Sequence, residues 1–327
     1  MAKQSKYKDS IDFLKARLPY LAGPTKDIYH ENMTLSESKN GPWSVIKELF
    51  LAYYAPKYHD ILRRYNWIQS LVYIDLFSGP GLQRISEFQT VFPGSPITID
   101  RCLRKEVLFD HFYLSDIEPD YIRQLREIFH NSEKCSFYDK DVNENVREII
   151  RDIEKMNVPG KQIHALVFID PYALQLDWDS LVAITKAKFG SDLIICLMTT
   201  EILRVIRAAR SEGRTAEGNA RKLNRFFGCN DWTTINTDDA VMDLYLKQLS
   251  SIERDQQEEV IVYKNENKNT GYRMIVAVKG KESVRRTFLD IVKDFRTHSD
   301  KLDGTIIRKA IRHYFDSNSK GIDESWD

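Results

Sequence analysis

Cysteine is sparse in this chain: four in 327 residues, at positions 102, 135, 196 and 229, with no CxxC pair and no Cys/His cluster. A zinc centre or a disulfide framework needs clustered or paired ligands, so neither is supported and the thiols read as buried and reduced. Long apolar runs are also missing. Leu193–Met198 is typical and falls far short of the ~20 residues a membrane helix needs. The start, Met1-Ala2-Lys3-Gln4-Ser5-Lys6, leads into a charged segment without a signal-peptide core, so a cytoplasmic protein is expected. Net charge is absent as well, with 48 Lys and Arg against 48 Asp and Glu. Such a chain has no global pull on phosphate or anionic lipid, and any nucleic-acid contact must come from a local patch. No internal repeat or low-complexity segment occurs.

What is present is an ordinary soluble composition, 42% hydrophobic and 29% charged. Residues 1–40 are polar and mixed, and read as an arm with at most one short helix. Pro42 suits a first helical position, and Trp43, Ile46, Leu49, Phe50 and Tyr53 follow at helical spacing. The apolar run Leu71–Ile74 ends in Asp75-Leu76-Phe77-Ser78-Gly79-Pro80-Gly81, the pattern of a buried parallel strand entering a glycine-rich turn. Strands are then expected at His111–Ser115, Cys135–Tyr138, Ala165–Ile169 and Asp192–Met198. Helices begin at Pro119 and, with Asn143 as cap, near Val146. Residues 201–251 read as mostly helical with a break near Gly228. Val260–Tyr263 and Tyr272–Val278 flank a polar loop ending in Gly271 and read as a hairpin, with helices near 282–296 and 304–315 behind it.

Strands alternating with helices imply a doubly wound parallel sheet, whose ligands bind beyond the strands' carboxyl ends. Four such ends carry polar residues. At Gly79 and Gly81 the missing Cβ would let a ligand approach, and Asp75 would hold an ammonium or an ordered water there; a plain tight turn is the simpler alternative. Asp116 suits two ribose hydroxyls, while Glu118 and Asp120 read as charge at a helix N-terminus. Asp139 and Asp141 would accept an adenine amino group or cap the next helix. Asp170-Pro171-Tyr172 offers a carboxylate to a nucleophile, a stiff turn and an aromatic face for a base. Arg204, Arg207, Arg210, Arg214, Arg221, Lys222 and Arg225 crowd the helical region after the fifth strand. Arg207 and Arg210 are taken as the phosphate contacts of this patch.

Five strands followed by a hairpin is the pattern of Rossmann-like class I methyltransferases: a mostly parallel seven-stranded sheet with a C-terminal antiparallel β-hairpin. Trp43 and Lys47, Tyr73-Ile74-Asp75-Leu76-Phe77-Ser78-Gly79-Pro80-Gly81, Gly94-Ser95-Pro96-Ile97 and Phe168-Ile169-Asp170-Pro171-Tyr172 together resemble the three-Cys-motif partner family, TcmP. The resemblance spans roughly residues 41–300, followed by a helix and tail over 301–327. It implies an S-adenosylmethionine cofactor, with Asp75, Phe77, Gly79 and Gly81 as the methionine-side loop, Asp116 as the ribose acid and Asp141 on the adenine side. It also implies a partner, a three-Cys-motif protein resembling radical-SAM enzymes. Asp170-Pro171-Tyr172 is similar to the Asp-Pro-Pro-Tyr motif of base amino-methyltransferases, but Tyr172 stands where that motif has its second proline.

The chain therefore reads as an S-adenosylmethionine-dependent methyltransferase acting on a nucleic-acid base or a similar amine or hydroxyl through Asp170, Pro171 and Tyr172, with no metal. Two alternatives remain open: a non-catalytic partner module on the same fold, and a nicotinamide oxidoreductase. The second is disfavoured because Gly79-Pro80-Gly81 lacks the third glycine of GxGxxG.

Overall fold

A computed structural model describes residues 10–36, 41–85, 87–88, 90–101, 109–130, 132–156, 158–211, 213, 215–279 and 282–323. Seven strands form the main sheet: β1 (Ile68–Asp75), β4 (His111–Ser115), β5 (Cys135–Tyr138), β6 (Gln162–Ile169), β7 (Gly190–Leu197), β8 (Gln256–Tyr263) and β9 (Thr270–Val278). Their order is β5-β4-β1-β6-β7-β9-β8. β1, β4, β5, β6 and β7 run parallel, and β9 is antiparallel to both β7 and β8. This is the class I methyltransferase sheet, with the last strand inserted between the fifth and sixth of the sheet.

Both faces of this sheet are covered, and the alternation of side chains shows it. Leu71 and Tyr73 of β1, Leu166 and Phe168 of β6, and Ile194 and Cys196 of β7 enter one core. Their neighbours Val72, Ile74, Ala165, Val167, Leu193 and Ile195 enter the other. Period-2 geometry sends successive residues to opposite faces, so a strand buried on both must be apolar throughout. The first core is closed by α1 (Ser10–Ile28), α2 (Val45–Leu62), α4 (Pro119–Ile128), α10 (Glu282–Ser299) and α11 (Gly304–Asp323). The second is closed by α5 (Val142–Lys155), α6 (Trp178–Lys186), α7 (Thr199–Ala209), α8 (Ala216–Phe227) and α9 (Asp238–Ser251). None of the described helices is long and apolar enough to cross a membrane.

Three local expectations are corrected. The polar arm is not loose: Phe13, Leu14, Leu18 and Leu21 of α1 are buried, and the helix runs through Gly23 and Pro24. Its polar residues face outward around one apolar stripe, so composition alone masked a core helix. The long connection after β1 holds a small antiparallel hairpin, β2 (Leu82–Ile85) with β3 (Thr90–Pro93), before α3 (Ser95–Arg101). Finally, α5 is capped by Asp141, whose side chain accepts from the Asn143 N–H, rather than by Asn143. The break near Gly228 is real, since that residue ends α8 in the left-handed region at φ 67°.

One buried charge lies in the sheet itself. Asp192 of β7 is 1% exposed beside Arg254, which donates to the Ser191 carbonyl and hydroxyl at 3.2 and 2.9 Å. Burial pushes the Asp192 carboxyl up to about 7, against the pull of Arg254. The folded chain thus holds this proton more tightly than the unfolded chain, where an aspartate titrates near ~3.9. Its contribution to stability is complete below that value and is lost as pH rises through about 7. Urea unfolding at about pH 5 and about pH 8 should therefore show a smaller decline in stability for Asp192→Asn than for the wild type. An identical decline in both proteins would contradict the assignment.

Candidate functional site

The chain builds β1, β4 and β5 outward in one direction and then returns to lay β6 on the other side of β1. That reversal leaves a crevice beyond the carboxyl ends of β1, β4 and β6, the expected ligand position in such sheets. A cavity of about 620 Å³ occupies it, within the usual range for small-molecule sites.

The turn after β1 forms its floor. The Ser78 amide donates to the Ser115 carbonyl at 2.8 Å, and the Ser78 hydroxyl donates to the Asp75 carbonyl at 3.1 Å. The Gly79 N–H donates to Asp116 Oδ2 at 2.9 Å. The glycine turn is therefore tied to the end of β4. The two glycines do different work. Gly79 has φ +56°, lines the cavity, and has nothing within 4 Å of where a Cβ would lie. Gly81 has φ +79°, and a Cβ there would meet Leu125 Cδ2 at 2.9 Å. Gly81 also lines the cavity, and its missing side chain makes room for Leu125 of α4.

Asp75 departs from the sequence expectation. Its carboxyl is fully buried and lies behind the cavity wall, accepting from the Tyr73 hydroxyl at 3.0 Å, the Phe77 N–H at 3.2 Å and Ser95. Burial raises it to about 7. Asp75 shapes the turn from beneath instead of facing a ligand ammonium.

Phe77, Asp116 and Asp141 do line the cavity. Burial raises the Asp116 carboxyl above its ordinary value. One of its oxygens accepts from Gly79 and the other from the Glu118 N–H at 3.0 Å, and the Ile117 N–H also donates to the carboxylate. Asp141 is the cap of α5, its Oδ1 accepting from the Asn143 N–H at 2.9 Å, and the residue also lines the cavity. Asn143 then ties the wall together, donating to the Gln175 carbonyl at 3.1 Å and accepting from the Asp177 N–H at 2.9 Å.

On the opposite wall stand Asp170, Pro171 and Tyr172 at the end of β6. Asp170 forms an ion pair with Lys47 of α2, both side chains being largely buried. Burial pulls the Lys47 amine down, but the facing Asp170 carboxylate, together with Cys196 and Glu48, more than offsets this and holds it above its ordinary value. Tyr172 is 68% exposed, with its N–H donating to Gln175 Oε1 at 2.7 Å.

Several lining residues escaped the sequence reading. Glu48 is 4% exposed, accepts from Gln83 Nε2 at 3.2 Å and Thr98 Oγ1 at 2.8 Å, and is pushed up to about 8 by burial. Ile117, 56% exposed, puts an apolar surface beside Asp116; its only sequence signal is an apolar residue directly after a strand-end acid. Asn219 of α8 is another, and it lines the cavity together with Lys222 and Arg225, two members of the basic stretch the sequence marked. Arg207 and Arg210 do not line the cavity. Arg207 is exposed on α7, whereas the Arg210 guanidinium donates to Asn236 Oδ1 at 2.7 Å and to the Trp232 and Ile235 carbonyls at 3.0 and 2.6 Å. Arg210 therefore stitches the segment between α8 and α9.

No protein-family model matches the sequence, and no curated protein does. Among solved structures the chain is similar to protein LPL1258 from Legionella pneumophila, with a TM-score of 0.44 and 14% identity over 76% of this chain and 91% of that one. It is also similar to the O-methyltransferase TomG from Streptomyces achromogenes, in complex with S-adenosylmethionine (TM-score 0.36, 10% identity, 85% of this chain and 92% of that one). A third is Trm1 from Pyrococcus horikoshii with S-adenosylmethionine (0.35, 13%, 79% and 62%). At this distance the fold is defined by the strand order and register above, and the protein has a class I methyltransferase-like fold.

Proposed function

We propose that this protein is an S-adenosylmethionine-dependent methyltransferase of the three-Cys-motif partner type, acting on a base amine of nucleic acid or a comparable amine or hydroxyl. One observation carries the reading. A positive-φ glycine turn pinned to Asp116 opens into a cavity whose walls also carry Asp141 and Asp170, each from the end of a different strand or the loop after it.

The residues present fit the cofactor. Gly79 leaves open space where any side chain would intrude, which suits the methionine portion. Asp116, a carboxylate on the cavity wall, is an acceptor suited to the ribose hydroxyls. Ile117 and Val142 supply apolar contact for an adenine face, with Asp141 close by in the same wall. Asp75 supports this cradle from behind, and Phe77 borders it.

Bound S-adenosylmethionine supplies an electrophilic methyl group. The chain's own residues have the remaining task, which is to orient the acceptor and receive its proton. Asp170, held by Lys47, accepts a hydrogen bond from the attacking amine or hydroxyl and fixes the direction of its lone pair. Pro171 stiffens the turn, and the exposed ring of Tyr172 gives a base a surface to stack on. The partner follows from the family resemblance alone: a three-Cys-motif protein of radical-SAM type.

Calorimetric titration with S-adenosylmethionine should show saturable binding to the wild type, weakened about 10–100-fold in Asp116→Ala by the loss of hydrogen bonds to a carboxylate. No wild-type binding at millimolar ligand would refute the reading. Transfer of labelled methyl to bulk RNA or DNA should fall about 100-fold or more in Asp170→Asn, with cofactor affinity retained. Equal incorporation would remove Asp170 from the chemistry, and cofactor binding without transfer in either protein would assign the chain to a non-catalytic partner module.

A further inference from the structure

The charged residues of the cavity are not evenly spread. The wall formed by the glycine turn, the end of β4 and the start of α5 carries carboxylates, Asp116 and Asp141. Cations from α8 border it: Arg225 meets Asp177, whose N–H donates to Asn143 at the start of α5. Asn219, Lys222 and Arg225 recur every three residues and so share one face of the helix. The adjoining face holds Leu223, Phe226 and Phe227, all buried. Two contacts fix the helix in place: Trp232 Nε1 donates to Asn224 Oδ1 at 2.7 Å, and its end at Gly228 packs so closely on Trp178 that a Cβ would lie 2.3 Å from the ring.

These cations are available for a ligand. Lys222 has no ion-pair partner among the described residues, and Arg225 meets Asp177 through Nε at 3.3 Å, leaving most of its five donors unused. Two arginines nearby are engaged instead: Arg204 of α7 pairs with Glu201, and Arg210 just after it donates to Asn236 and two carbonyls, while Arg207 is exposed but does not line the cavity. Two residues after Asp170, and lining the same cavity, stands Tyr172, 68% exposed. A stacking surface beside clustered phosphate donors is the chemistry of a nucleotide, and a concave site reaches a base only when that base is unpaired.

We infer that the α8 face of Asn219, Lys222 and Arg225, together with Tyr172, is a binding site for the phosphates and an adjacent base of single-stranded nucleic acid, holding the acceptor over Asp170. This rests on the methyltransferase reading above and names its substrate class. The aromatic ring sets the register by stacking, and the α8 cations hold the flanking phosphates without reading sequence.

The test is fluorescence anisotropy with a labelled single-stranded RNA or DNA oligonucleotide, measured across a salt series on the full chain. The double variant Lys222→Ala/Arg225→Ala should bind at least about 10-fold more weakly, with a log–log salt slope lower by about 1.4, two phosphates at ~0.7 each for single strands. Tyr172→Ala should also weaken binding and Tyr172→Phe should restore it. Arg64→Ala, at the other end of the sheet, should leave affinity and slope unchanged. S-adenosylmethionine titration of each variant serves as the control for folding and for the underlying reading, and all should bind the cofactor as the wild type does. If the wild type fails to bind cofactor, the methyltransferase reading itself fails. If cofactor binding is intact but the double variant keeps wild-type oligonucleotide affinity and slope, or the wild type binds no oligonucleotide, or duplex competes equally with single strand, the α8 site is overturned.

Discussion

A sheet covered by helices on both faces leaves little room for polar chemistry except at the ends of its strands. In this protein the central parallel strands are largely apolar on both faces, Asp192 of β7 being buried beside Arg254, and Asp75, Asp116 and Asp170 stand where a strand stops. The return of the chain from β5 to β6, across β1, then parts the loops at those ends and opens the cavity. Each remaining feature depends on that constraint. The glycine turn, the cap at Asp141 and the ion pair of Asp170 are local solutions to ending strands around one opening.

Within the opening, charge is sorted by position. Asp75 and Glu48 are buried and pushed upward, to about 7 and about 8, so they serve as hydrogen-bonded supports of the wall. Asp170 is compensated by Lys47, which reaches it from α2 and so couples the helix before β1 to the strand after α5. Cations of α8 border the same opening, with Arg225 paired to Asp177. The overall charge of zero is thus an average over groups of both signs whose placement composition cannot register.

Much of this was legible in the sequence. The strands and their alternation with helices follow from short apolar runs ending in Asp or Gly. The antiparallel hairpin at the end of the chain is marked by its polar loop. Phe77, Gly79, Asp116, Asp141, Asp170 and Tyr172 do converge on one cavity. What stayed hidden has physical causes. The α1 stripe of Phe13, Leu14, Leu18 and Leu21 is diluted by polar residues and by Pro19 and Pro24, and only tertiary packing reveals it. The short β2–β3 hairpin carries too few residues to establish a period. The partnership of Lys47 with Asp170 joins distant parts of the chain, and nothing local announces it. Arg207, Arg210, Lys222 and Arg225 share one basic stretch, and helix phase decides which of them faces the cavity. Asp75 looked like a ligand contact because it ends a strand, yet its side chain turns inward toward Tyr73.

The central claim is that the crevice beside β1 receives S-adenosylmethionine in one orientation. A crystal structure of the protein grown with S-adenosylhomocysteine tests it most directly. The account expects density in this cavity with the ribose hydroxyls on Asp116, the adenine between Ile117 and Val142 near Asp141, and the amino-acid end over Gly79. Density elsewhere, or a reversed ligand with its adenine against Asp170 and Lys47, would contradict it.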